Sequence, residues 1–174
     1  FYKLYCSLLY MNFQFYLEKL HESKDFDDFK KEYSDAYFCG GFFIIDKAGE
    51  DNKQHLDYYI PSKHKIFSFE LERGIQVVPI EMIDKRIPEK IKDNYDFDFD
   101  DIEEIILVGM EKNGVEDKLQ KILLSLQTLE GGSYLVGTIF ISKMGLIKIQ
   151  IDLSKMQIVE FEKKNLLDFF KRIK

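Results

Sequence analysis

Apolar positions change their spacing repeatedly along the chain, and each change predicts an element. Phe1, Leu4, Leu8, Met11 and Phe15 recur at steps of three and four, which predicts a helix with one apolar face. Ser23 and Asp25 then offer capping oxygens. Phe26, Phe29 and Tyr33 follow at helical spacing, so a second short helix is expected through the segment DFDDFKKEYSD. From Ala36 the run AYFCGGFFIID is aromatic and β-branched and reads as a strand, closed by a polar loop over 46–54. HLDYYI and KIFSFEL flank Pro61, Ser62 and Lys63 as a hairpin, with Phe67, Phe69 and Leu71 on one face. IQVVPIEMI adds a short strand whose Pro79 favours a sheet edge.

The middle of the chain is less sharply patterned. RIPEKIKDNYDFDFDDIEE suggests a helix-like piece after Pro88, then an alternation of acids and aromatics that reads as a loop or an Asp-rich first helical turn. EEIILVGM suits either a strand or a helix. Val115, Leu119, Ile122, Leu123, Leu126 and Leu129 form an amphipathic stripe, which predicts a helix stopped by Gly131 and Gly132. Three strands are expected next: SYLVGTIFIS, LIKIQIDL and MQIVEFE. In the central one Ile147, Ile149, Ile151 and Leu153 alternate with Lys148, Gln150 and Asp152, as in a sheet dry on one face. A closing helix would put Leu166, Phe170 and Ile173 on one side.

Two blocks repeat. Gly41–Gly49 shares four of nine residues with Gly137–Gly145, and Ile60–Glu70 shares five of eleven with Asp152–Glu162. The offsets are 96 and 92, and the difference falls in the polar loop after Gly49, where insertions disturb least. The expected fold is therefore α+β: residues 1–174 as one compact domain of antiparallel sheet packed by helices. Pseudo-repeat halves 11–83 and 101–163 would each carry a helix-helix-three-stranded-meander unit, with a C-terminal helix beyond. As architecture alone, tandem units of this kind resemble the β-lactamase-inhibitor-protein type of fold. No motif specific to that family accompanies the likeness, so it implies no function and no site residue.

Composition narrows the classes further. The 174 residues include 16 Phe and 10 Tyr with no Trp, too much apolar area for a disordered chain. Lys and Arg total 25 against 31 Asp and Glu, giving 25 − 31 = −6, and no basic block occurs, which argues against nonspecific nucleic-acid binding. Two cysteines, Cys6 and Cys39, rule out a disulfide-stapled scaffold. The apolar stretch Leu4–Leu17 has 14 residues, against the ~20 of a membrane-spanning helix, and lacks the flanks of a signal peptide. The sequence starts at Phe1, so Met11 is an alternative start.

Candidate chemistry is sparse. His55 and Asp57 share a strand face, but a turn at Pro61–Lys63 makes cross-strand partners sum to about 124, pairing His55 with Phe69 and His64 with Ile60. The two imidazoles then lie roughly 15 Å apart at ~3.3 Å per residue, so no metal site is expected. Cys39 beside Gly40 and Gly41 could be a nucleophile, although its apolar strand fits a buried inert thiol better. Nucleophile elbows, phosphate loops and dinucleotide motifs are absent from the sequence, and no cofactor or catalytic residue is expected.

The densest feature is acidic: Asp93, Asp96, Asp98, Asp100, Asp101, Glu103 and Glu104, interleaved with Tyr95, Phe97 and Phe99. An EF-hand loop starting at Asp96 fails, because Asp101 and Leu107 stand where glycine and glutamate are needed. A solvated helix N-terminus explains the tract structurally. As chemistry, acids mixed with aromatics suit a basic protein partner, since they supply both steering and anchoring area. The expected function is a non-catalytic protein-interaction module of inhibitor, immunity or adaptor type, cytoplasmic and able to form a homodimer. Its partner-binding residues would be Asp96, Phe97, Asp98, Phe99, Asp100, Asp101 and Glu103. The alternative is a small-molecule-binding domain or small enzyme with an aromatic pocket between sheet and helices.

Overall fold

The computed structural model describes residues 12–82, 86–92 and 96–166. Within them three helices pack on one face of an eight-stranded antiparallel sheet, an α+β fold as expected. The elements are α1 (Phe13–His21), α2 (Lys24–Glu32), β1 (Tyr37–Asp46), β2 (Lys53–Ile60), β3 (Lys65–Glu70), β4 (Gln76–Ile80), α3 (Phe99–Lys112), β5 (Leu119–Leu129), β6 (Gly132–Ile141), β7 (Gly145–Asp152) and β8 (Gln157–Asn165). The sheet order is β4-β3-β2-β1-β5-β6-β7-β8. Each half of the chain thus supplies a four-stranded meander growing outward from the central β1–β5 pair. The repeated sequence blocks fall on β1 with β6, whereas β1 and β5 hold the matching central places.

Local chemistry explains the first helices. Asn12 Oδ1 accepts from Phe15 N at 2.9 Å and caps α1. The Ser23 hydroxyl donates to Leu20 O at 2.6 Å and accepts from Phe26 N at 3.2 Å, so one side chain ends α1 and starts α2. Asp25 and Asp27 lie in the first turn of α2 and Lys30 and Lys31 in its last, matching the helix dipole. The buried face of α1 is Phe13, Tyr16, Leu17 and Leu20, while Phe15 is 39% exposed. That corrects the expected apolar face at Phe15. Two stripes compete in this aromatic run, and the one holding Leu17 and Leu20 faces the sheet. Phe1, Leu4, Leu8 and Met11 lie outside the described residues, as does the expected closing helix beyond Leu166.

The segment from Val115 to Leu129 is not a helix; its residues from Leu119 form β5. Ile122, Leu124 and Leu126 are buried in alternation, and a bulge between Leu119 and Lys121 shifts phase by one residue. The shift turns a strand step into the helix-like step from Leu119 to Ile122. Leu123, half-buried on the opposite face, fills the remaining gap in the false stripe. Conversely, EEIILVGM lies in α3. The piece after Pro88 is irregular, with the fully buried Ile91 donating its N–H to Phe38 O at 2.9 Å.

The strand expectations at the ends of the sheet hold. β4 carries Pro79 and lies at one edge with all five residues exposed. β6, β7 and β8 form the expected meander, with Ile147, Ile149 and Ile151 buried. Asp152, expected on the wet face, is instead 7% exposed because it organises the β7–β8 turn. Its Oδ1 accepts from Ser154 Oγ at 2.7 Å, Ser154 N at 2.9 Å and Lys155 N at 3.3 Å. The Ser154 hydroxyl above all, aided by those N–H groups, holds the carboxyl below the usual carboxylate range. A depressed folded pKa stabilises above the unfolded value near pH 4, and that stability is lost as pH falls through the folded pKa. Asp152→Asn is therefore expected to lower the thermal midpoint at neutral pH, with the gap to wild type closing below about pH 4. Unfolding curves across that range check it, and a gap constant with pH would refute the role.

Candidate functional site

The acidic tract is a lead-in and first turn, with acids out and rings in. Asp96, Asp98, Asp100 and Asp101 are exposed, while Phe97 and Phe99 are each 4% exposed. Phe97 stacks on Phe13 at 5.1 Å between centroids, and Phe99 meets Phe43 at 5.0 Å. The aromatic half of the expected partner surface is therefore core, because burying a Phe contributes about 1.5–3 kcal/mol and the alternation offers both Phe97 and Phe99 to the sheet. DFDDF repeats the pattern, with Phe26 and Phe29 buried between exposed acids. Glu103 is also committed internally, since both its oxygens lie 3.0 Å from Lys47 Nζ. What remains outward is a row of carboxylates at the positive end of the α3 dipole.

The apolar partner of that row lies further along α3. Leu107 and Val108 are 45% and 40% exposed, two adjacent aliphatic side chains turned to solvent. Beside them a groove of about 820 Å³ runs between α3 and the edge strand β8. Ile105, Val108, Ile158 and Phe161 provide its apolar surface, and Asp101, Glu104 and Glu160 outnumber Lys112 on its rim. Gly109 lets the two elements approach, because a Cβ there would collide with the Ile158 side chain. Periodicity in α3 could have marked this face, had EEIILVGM been resolvable as helix.

A second constellation sits on the sheet face opposite the helices, and sequence reasoning missed it through a one-residue error. His64 adopts a left-handed conformation (φ 49°) after the 3-10 turn Pro61–Lys63, so the loop is one residue longer than expected. Ile60 pairs with Lys65 and His55 with Glu70 rather than Phe69. The slip moves a carboxylate beside the imidazole: His55 Nε2 lies 4.0 Å from Glu70 Oε1 and 2.6 Å from Glu72 Oε1. Gln54 N donates to the same Glu72 oxygen at 3.1 Å. The next rung on this face is Asp57 opposite Ser68. Burial pushes the Asp57 carboxyl up. Ser68 faces it closely enough to ease that shift, yet the Ser68 hydroxyl and Asp57 Oδ1 make no hydrogen bond of normal geometry.

Cys39 lies on β1 next to this rung and donates to Asp57 O at 3.4 Å. Burial, reinforced by the Asp57 charge, pushes its thiol up to about 12, so almost no thiolate exists at neutral pH. His21 and His64 are occupied by hydroxyls: His21 Nε2 meets Tyr58 Oη at 2.8 Å, and His64 Nδ1 meets Tyr59 Oη at 3.1 Å. Among the described residues no helix is long and apolar enough to cross a membrane.

No protein-family model matches the chain, and no curated protein matches it. Among solved structures, that of a "putative lipoprotein" from Clostridium difficile 630 aligns with a TM-score of 0.54 at 13% identity, covering 80% of this chain and 90% of that one. At that identity the likeness shows the fold alone: helices on one side of an antiparallel sheet.

Proposed function

We propose that the protein is a non-catalytic interaction module that docks a basic, apolar-anchored segment of a protein partner in the groove between α3 and β8. The carrying observation is the groove itself, where the apolar surface of Ile105, Val108, Ile158 and Phe161 meets the carboxylates of Asp101, Glu104 and Glu160. Exposed Leu107 and Val159 extend the apolar area on its flanks. β8 is an edge strand with an unpaired ladder side among the described residues, so an extended segment can add main-chain hydrogen bonds there. Asp96, Asp98 and Asp100, exposed next to the helix start, steer a cationic partner from a distance and make association salt-dependent.

The test uses the full chain as bait, with crosslinked partners identified by mass spectrometry. The triple variant Asp101→Lys, Glu104→Lys, Val108→Asp should abolish capture, while its thermal midpoint falls by no more than about 6 °C, the sum expected of three surface changes of about 0.5 kcal/mol each. Undiminished capture overturns the reading. Two rival occupants give different results. A dimer in sedimentation that Val108→Asp dissolves assigns the groove to a second copy. Capture that rises after residues 167–174 are removed assigns it to that stretch, which is itself basic and apolar (LDFFKRIK).

A further inference from the structure

We propose that His55, Glu70 and Glu72 form a binding site for one divalent transition cation of the zinc type. The three side chains offer an imidazole nitrogen and two carboxylate oxygens whose ligand atoms all lie within 4.8 Å of one another. A tetrahedral ion with bonds of about 2.0–2.1 Å needs ligand atoms about 3.4 Å apart. The distances from His55 Nε2, 2.6 Å to Glu72 and 4.0 Å to Glu70, bracket that edge, so small side-chain rotations close the set without moving the backbone.

The scaffold is suited to hold such a set. His55 and Glu70 are cross-strand partners inside the sheet, which fixes two ligands to a paired ladder. Glu72 follows where β3 ends, and Leu71 N donates to Gln54 O at 3.0 Å, while Gln54 N donates to the Glu72 carboxylate. That contact supplies the outer-shell hydrogen bond that orients a ligating carboxylate. The ligand side chains are 16%, 35% and 22% exposed, dry enough to strengthen coordination and open enough for entry.

A second observation points the same way. Ser68, only 3% exposed, faces Asp57 on the rung beside Glu70, and neither its hydroxyl nor Asp57 Oδ1 makes a hydrogen bond of normal geometry, with each other or with any other group. Buried oxygens in native folds almost always find a donor or acceptor. The pair that lacks a polar partner thus stands on the rung next to the His55–Glu70 pair. On the other side the cluster opens into a groove of about 980 Å³ between the β1–β2 loop and the start of β4, which leaves room for an exchangeable fourth ligand. Imidazole with two carboxylates favours zinc, cobalt or manganese over calcium, which takes six or more oxygens.

The competing explanation is a plain His55–Glu72 hydrogen bond, and the experiment separates the two. The full chain, stripped with chelator, is titrated with zinc chloride by calorimetry and followed by thermal unfolding. One zinc ion per chain is expected, with the midpoint rising by about 5–10 °C at a hundredfold excess over the dissociation constant and returning with chelator. Cobalt(II) should give the visible absorption of a tetrahedral nitrogen-oxygen site. His55→Gln, Glu70→Gln and Glu72→Gln should each weaken binding at least about tenfold. Asp51→Asn, in the same groove but outside the set, should bind as wild type. No binding at millimolar zinc overturns the site. So does unchanged affinity in Glu70→Gln, loss in Asp51→Asn, or tighter binding of calcium than of zinc.

Discussion

Replacing Phe97 with alanine is expected to lower stability by about 3–5 kcal/mol and the thermal midpoint by roughly 6–20 °C. Phe97 stacks nearly parallel on Phe13 (5.1 Å, 6°) and meets Phe99 edge-on at 5.3 Å. Its carbonyl accepts the Phe13 N–H at 2.9 Å, so the strand-like lead-in to α3 is tied to the first residue of α1. Phe13 in turn contacts Phe38 and Phe43 of β1. Removing the Phe97 ring leaves a cavity where two helices and the central sheet meet, and no flexible side chain among these rings can refill it. Asp96→Lys, one residue away, exposed and outside the helix, should shift stability by no more than about 0.5 kcal/mol. Chemical denaturation of both variants decides the matter. If Phe97→Ala unfolded like wild type but lost partner capture, the ring would belong to the surface and the core placement would be wrong.

This contrast shows how much of the site was legible. Acid and aromatic residues alternate from Asp96 to Asp100 with the period of two that marks one face buried and one wet. Read that way, the sequence itself separates the rings from the carboxylates; read by composition, it merges them into one patch. The meanders were legible for the same reason, because Ile147, Ile149 and Ile151 alternate cleanly and Pro79 can stand only at an edge. β5 was not, since a bulge near Gln120 and apolar residues on both faces imitate a helical stripe. The His55 cluster was hidden by a subtler event. A left-handed residue usually announces itself as glycine or asparagine, and here His64 fills that place, so one residue of loop went uncounted and every cross-strand pair moved with it. The α3–β8 groove depends on elements about 50 residues apart in sequence, and no local pattern reports such a meeting.

Gly137→Ala is expected to be the most damaging single-methyl addition in the chain, lowering stability by about 3 kcal/mol or more. Gly137 sits mid-strand in β6, opposite Leu124 on one side and Ile149 on the other, both fully packed. A Cβ there would collide with the backbone carbonyl oxygen of Leu123 and lie 2.8 Å from Leu124 Cδ2. The side chain can turn away; the carbonyl cannot, because it belongs to the β5 backbone that the ladder holds in place. The β5–β6 spacing must open, and with it the pairing that joins the second meander to the central strands. Gly41, the glycine aligned with it in the repeated block, makes an informative comparison: a Cβ there meets the Phe43 ring at 3.0 Å and His55 O at 3.1 Å. Those contacts relax by a few tenths of an ångström and a ring rotation, so Gly41→Ala should be clearly milder than Gly137→Ala. Equilibrium urea unfolding of the two variants tests the ranking. A Gly137→Ala protein within about 1 kcal/mol of wild type would mean that β5 and β6 do not approach as closely as this sheet requires.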